Sequence, residues 1–166
     1  MLIFKKHIIG STKPTLINVE IVKTRGNLHQ IRLPDGTQPD IWYGQESFQT
    51  LEDSFTYGQF QILARMIWLK MTATVHQQKH ARWAVINGEF VAKYDSLRSL
   101  AQKGLLTERN GVYHLADAIE NYRAAFIDYL ISKRTDEIEA SAQLIPMGKT
   151  AHDLAVEEWQ SKYSDV

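Results

Sequence analysis

Residues 96–115, SLRSLAQKGLLTERNGVYHL, read as a helix, a glycine stop and a tight β-hairpin. Leu97, Leu100 and Ala101 recur at the spacing that puts them on one helical face. Gly104 follows where a helix ends best on a residue that accepts positive φ. Residues 105–108 and 112–115 are then two short strands. Asn110-Gly111 between them is the dipeptide that best tolerates the two positive φ angles of a type I′ turn.

Helices are expected on both sides. Residues 55–76 carry Phe60, Leu63, Ala64, Ile67 and Met71 at helical spacing, and Thr56 with Gln59 has the spacing of a capping box. Trp68 falls beside that stripe and is expected to pack on the N-terminal strands. Residues 117–133 carry Ile119, Tyr122, Phe126, Tyr129 and Leu130, with Asp117 and Glu120 again at capping-box spacing. Set between these helices, the opening stretch resembles the recognition helix and wing of a winged helix-turn-helix domain. The usual pattern there is L-x-x-L-x-x-x-G-L-[LIV], then a hairpin and a further helix. The resemblance is at superfamily level, covers about residues 56–133, and implies DNA binding as the default function.

Residues 76–95 depart from that pattern. A short second helix belongs here. The chain offers HQQKHARW at 76–83, then Val85-Ile86 and Phe90-Val91 around Asn87-Gly88, which reads as a hairpin. Either residues 76–83 are the second helix, or an extended segment replaces it.

Residues 1–54 read as an antiparallel β-meander. Strands are expected at 2–9, 16–24, 29–33 and 41–43, separated by turn signals at 10–14, 25–27 and 34–36. Residues 135–166 are an acidic tail. Its final helix starts at Thr150, with Ala151, Ala155, Trp159 and Tyr163 at four-residue intervals. The expected organisation is α+β: a β-meander (1–54) packed on a winged-helix core (55–134), followed by the tail (135–166).

Composition narrows the function classes. The chain has 166 residues, 44% of them hydrophobic, enough for a real core. It has no cysteine, which removes disulfides and thiolate ligands or nucleophiles. No run of about 18 apolar residues suggests a membrane span. The first ten residues lack the order of a signal peptide, so a cytoplasmic location is expected. Net charge is zero, but residues 70–109 hold seven basic against three acidic side chains, a net of +4. Residues 135–166 hold seven acidic against two lysines, a net of −5. The positive segment coincides with the helix and wing, the sign a phosphate-facing surface needs.

Catalytic and metal-binding patterns are lacking. His76 and His80 are four apart, but Gln77 follows His76, so the H-E-x-x-H pattern is absent and no third ligand is identifiable. Met147-Gly-Lys-Thr150 lacks the earlier glycine of a phosphate loop, because Gln143 stands there. The serines lack a G-x-S-x-G setting. Asp35, Asp40, Glu46, Glu52 and Asp53 read as turn and cap residues. No cofactor, no metal and no enzymatic activity are expected.

The leading expectation is a non-enzymatic DNA-binding regulator or accessory factor. With Leu97, Leu100 and Ala101 inward, Ser99 and Gln102 face outward beside Arg98 and Lys103; Lys93 precedes the helix and Arg109 marks the wing tip. Glutamine can bond adenine bidentately, and arginine can bond guanine or phosphate. Asp95 on the same face opposes tight binding. A homodimer through residues 118–133 and a protein partner for the tail around Trp159 are further expectations. The alternative is a protein–protein interaction module built on the same fold without DNA binding, the tail either covering the basic face or recruiting a partner. An enzyme with a site between the meander and the helices has no motif behind it.

Overall fold

The computed structural model describes residues 2–6 and 15–164. The turn signal at 10–14 and the end of the first expected strand lie outside the described residues. The chain is mixed α+β with antiparallel sheets.

The N-terminal strands form two sheets rather than one continuous meander. β1 (Leu2–Lys6) is central in the first, between β2 (Thr15–Asn18) and a strand that returns from further along the chain. β3 (Glu20–Arg25) and β4 (Leu28–Arg32) make a separate hairpin. The expected strand at 41–43 is reduced to one bridge, Tyr43 to His29. The returning strand is β5 (Phe48–Thr50), which pairs with β1. Ile31 and Phe48 form a small core here, with Val19, Leu33 and Tyr43 against it. A sheet of this size buries little, and β2 rests on the helical part of the molecule.

A one-turn helix, α1 (Leu51–Ser54), leads into α2 (Tyr57–Leu69). The capping box forms as the sequence implies. Thr56 Oγ1 accepts from the Gln59 N–H at 3.3 Å, and Gln59 Oε1 accepts from the Thr56 N–H at 3.0 Å. α2 ends at Lys70, whose φ is +54°, so Met71 falls outside the helix and is exposed. Phe60, Ile62, Leu63, Ala64, Met66 and Ile67 are all buried, which makes α2 the helix around which the others pack.

No helix forms at 76–83. Residues 74–93 are instead a three-stranded antiparallel sheet: β6 (Thr74–Gln78), β7 (Ala81–Ile86) and β8 (Glu89–Lys93). The reason lies in the local sequence. HQQKH has no apolar stripe for a helix to bury, whereas β7 alternates and sends Ala84 and Ile86 into the core. Asn87 and Gly88, at φ +53° and +76°, close the β7–β8 hairpin.

α3 (Tyr94–Gln102) follows directly, then β9 (Leu106–Arg109) and β10 (Val112–Leu115). Asn110 and Gly111, at φ +54° and +79°, close this second hairpin. A pair of backbone hydrogen bonds ties Ala73 to Tyr113 at 3.1 and 2.8 Å and fixes the hairpin to the end of α2. Gly58 is the close-approach point between α2 and α3. A side chain there would collide with the Ser96 hydroxyl.

α4 (Glu120–Ala140) is preceded by a 3-10 turn at Asp117–Ile119. Asp117 and Glu120 do not form the expected capping box; Glu120 pairs with Arg123 at 2.6 Å instead. Ile119 and Phe126 are fully buried, and Tyr122 and Tyr129 set their rings edge-on to Phe55 and Phe60 at 4.9 and 5.0 Å. The stripe expected to serve a homodimer at 118–133 therefore closes the core. No helix among the described residues is long and apolar enough to cross a membrane.

α5 (Ala151–Ser164) opens with a reciprocal cap between Thr150 and Asp153 at 2.9 and 3.1 Å. Ala151, Ala155 and Trp159 are buried; the Tyr163 side chain lies outside the described residues. Trp159 stacks on Trp68 with ring centroids 5.1 Å apart. Trp68 thus meets the last helix, and the tail's aromatic residue packs into the core of its own chain. A two-pronged contact from Arg134 to Glu158, at 2.7 and 3.0 Å, fastens α5 to α4. We predict that Trp159→Ala costs about 3–5 kcal/mol of stability, read from the urea midpoint; an unchanged midpoint would mean that the indole is not buried in solution.

Candidate nucleic-acid interface

Gly104 ends α3 as the sequence implies. At φ +79° it lets the Leu105 N–H bond the Leu100 carbonyl at 3.0 Å and its own N–H bond the Ala101 carbonyl at 3.0 Å. Leu100 and Leu105 are both buried, so the turn out of α3 is stapled to the core and the hairpin leaves in a fixed direction.

The six residues expected to meet DNA separate into two groups. Lys93, Arg98, Gln102 and Arg109 are exposed and hold no ion pair among the described residues. Glu108 beside Arg109 is already engaged, its Oε1 accepting from the Gly111 N–H at 2.6 Å within the turn. Asp95 is exposed on the same side of α3 as Arg98. Ser99 and Lys103 form the second group and turn toward α2. Ser99 is half-buried, donates to the Ser96 carbonyl at 2.9 Å and accepts from Gln59 Nε2 at 2.7 Å. Lys103 Nζ donates to Gln59 Oε1 at 3.3 Å and stands 5.8 Å from the Phe55 ring centre. The outward orientation expected for Ser99 is corrected by a buried amide on α2 that the helix period of α3 does not reveal.

A further cluster joins the hairpin, close to its turn, to the sheet. Arg82 of β7 lies 4.0 Å over the Tyr94 ring, and Tyr94 hydrogen-bonds Tyr113 of β10. Burial, then this hydrogen bond, push the Tyr113 phenol up to about 12. Alternation within RWAVI was the available sign that Arg82 and Ala84 share a face, but the partner ring sits on another element.

The remaining candidates have structural roles. Asp40 accepts from Gln30 at 3.2 Å, Asp35 from the Thr37 N–H at 2.8 Å, and the Asp53 N–H meets the Thr50 hydroxyl at 3.1 Å. His76 and His80 occupy β6 and the turn after it, not one helix face. Among the described residues no three His, Asp or Glu side chains converge as metal ligands. Compared with known proteins, the chain matches no family model, no curated protein and no solved structure.

Two predictions concern this junction. Gln59→Ala leaves the Thr56 N–H without its cap and Ser99 without its donor, and is expected to lower stability by about 1–3 kcal/mol in denaturant unfolding. The folded state favours the protonated Tyr113 phenol. Its contribution is therefore complete below the ordinary value of 10.0 and is lost as pH rises toward about 12. Absorbance titration is expected to show a late phenolate step that Tyr113→Phe removes.

Proposed function

We propose that the chain is a non-enzymatic DNA-binding regulator or accessory factor that lays the α3–hairpin ridge on duplex DNA. One contrast carries this reading. Arg32, Arg65, Arg123 and Arg134 are each ion-paired to a glutamate; Arg25, Arg82, Arg98 and Arg109 have no carboxylate partner among the described residues, and of these Arg98 and Arg109 are exposed on α3 and the β9–β10 hairpin. Free guanidinium groups on a ridge that also presents Lys93 and Gln102 suit phosphate contacts with one amide left for a base edge. Ser99 and Lys103 support the ridge from behind, through Gln59. The contacts are mainly to phosphates, because a sheet stands before α3 where a helix would cross the DNA backbone, and Asp95 on the same side limits how closely α3 approaches.

The test is fluorescence anisotropy with a labelled duplex at several salt concentrations. Arg98→Ala with Arg109→Ala is expected to weaken binding about tenfold or more and to reduce the salt slope by about 2. Both side chains are exposed, so the fold survives their removal. Failure of the wild-type chain to bind duplex at low salt, or an unaltered slope in the double variant, would overturn the reading.

A further inference from the structure

The sheet β6–β7–β8 has a second face that the duplex reading does not use. Its register sets that face. His76 stands opposite Trp83, Trp83 opposite Lys93, and Phe90 opposite Val85, while Ala84 and Ile86 point the other way into the core. His76, Trp83, Phe90 and Lys93 therefore share the outer side of the sheet. Their rings cluster there. Phe90 lies 5.5 Å from His76 and 6.0 Å from Trp83, with the indole and phenyl planes only 10° apart, and Phe90 is 47% exposed. Beside Trp83 opens a concavity of about 430 Å³, lined also by Gln78, Lys79, His80 and Ala81.

The charges around these rings are one-sided. Lys93 sits on the face itself and Lys79 in the β6–β7 turn. The single carboxylate of residues 74–93, Glu89, pairs at 2.8 Å with Arg65 of α2, on the core side of the sheet. Two exposed rings and a half-buried indole, bordered by ammonium groups, match a ligand with flat aromatic faces and an anionic backbone. Bases inside a duplex hide those faces in their own stack; unpaired bases offer them.

We propose that the outer face of β6–β7–β8 binds single-stranded nucleic acid, with unpaired bases stacking on Phe90, Trp83 and His76 and phosphates meeting Lys79 and Lys93. This goes beyond the duplex reading and stands on other side chains apart from Lys93, which lies where the sheet face meets α3.

The experiment compares labelled oligo(dT), oligo(U) and a duplex of equal length by anisotropy, using the full chain and Phe90→Ala. Phe90 is exposed, so its truncation spares the core, and a thermal melt checks this. The wild-type chain is expected to bind a single strand in a salt-sensitive manner. Phe90→Ala is expected to weaken that binding about 5- to 100-fold and to leave duplex affinity unchanged. Preference between oligo(dT) and oligo(U) then tells a DNA strand from an RNA strand. Lys79→Ala, far from the core, is expected to lower the salt slope for the single strand. The proposal is overturned by absence of single-strand binding at low salt, by equal affinity of Phe90→Ala, by equal loss on duplex and single strand, or by a wild-type dimer that Phe90→Ala converts to monomer. Single-strand binding without duplex binding would remove the duplex reading and keep this one.

Discussion

Much of the helical core turns on the buried carboxamide of Gln59, which is only 4% exposed. Its oxygen caps the start of α2 and receives Lys103; its nitrogen holds Ser99. A buried amide left without partners is costly, so its bonds must form together. Gln59 therefore couples the point where α2 begins to the rotation of α3 about its own axis. That rotation decides which residues α3 gives to solvent. Gly58 acts with it, because only a residue without a side chain lets Ser96 come close enough for Ser99 to reach the amide.

The second constraint is at the other end of the same unit. Ala73 and Tyr113 share two backbone hydrogen bonds, and Tyr113 in turn meets Tyr94 at the start of α3. The hairpin β9–β10 is thus held from two directions at Tyr113, one register pair from its turn, while the neighbouring Arg109 stays in solvent. Anchoring so close to the turn is what allows a short hairpin to present a cation at a defined place.

The sequence was most legible where local chemistry decides structure. The α3 stripe, the Gly104 stop and the Asn110-Gly111 turn all follow from backbone preferences that neighbours in the chain set. The Thr56–Gln59 cap is equally local. Legibility failed where a distant partner decides. Ser99 looks outward by helical period and is turned by a hydrogen bond from Gln59, forty positions away. Trp68 lies beside the α2 stripe, but its ring partner is on α5. The stretch 76–83 shows a third kind of failure. Its polar residues suit neither a helix nor a strand strongly, and pairing with β7 settles the matter. The ring cluster of His76, Trp83 and Phe90 was hidden for the same reason, since it comes together only through strand register.

The stacked pair Trp68–Trp159 joins two residues from opposite halves of the chain, and α5 otherwise packs Ala151 and Ala155 into the core and pairs with Arg134 of α4 at its surface. α5 buries fewer of its residues than α2 and packs mainly on α4, so its opening free energy is the smaller of the two. Amide protons of α5 will then exchange with solvent ahead of those in the centre of α2. Each opening uncovers the face of Trp68 that Trp159 covers, so the last helix works as a removable cover on that part of α2.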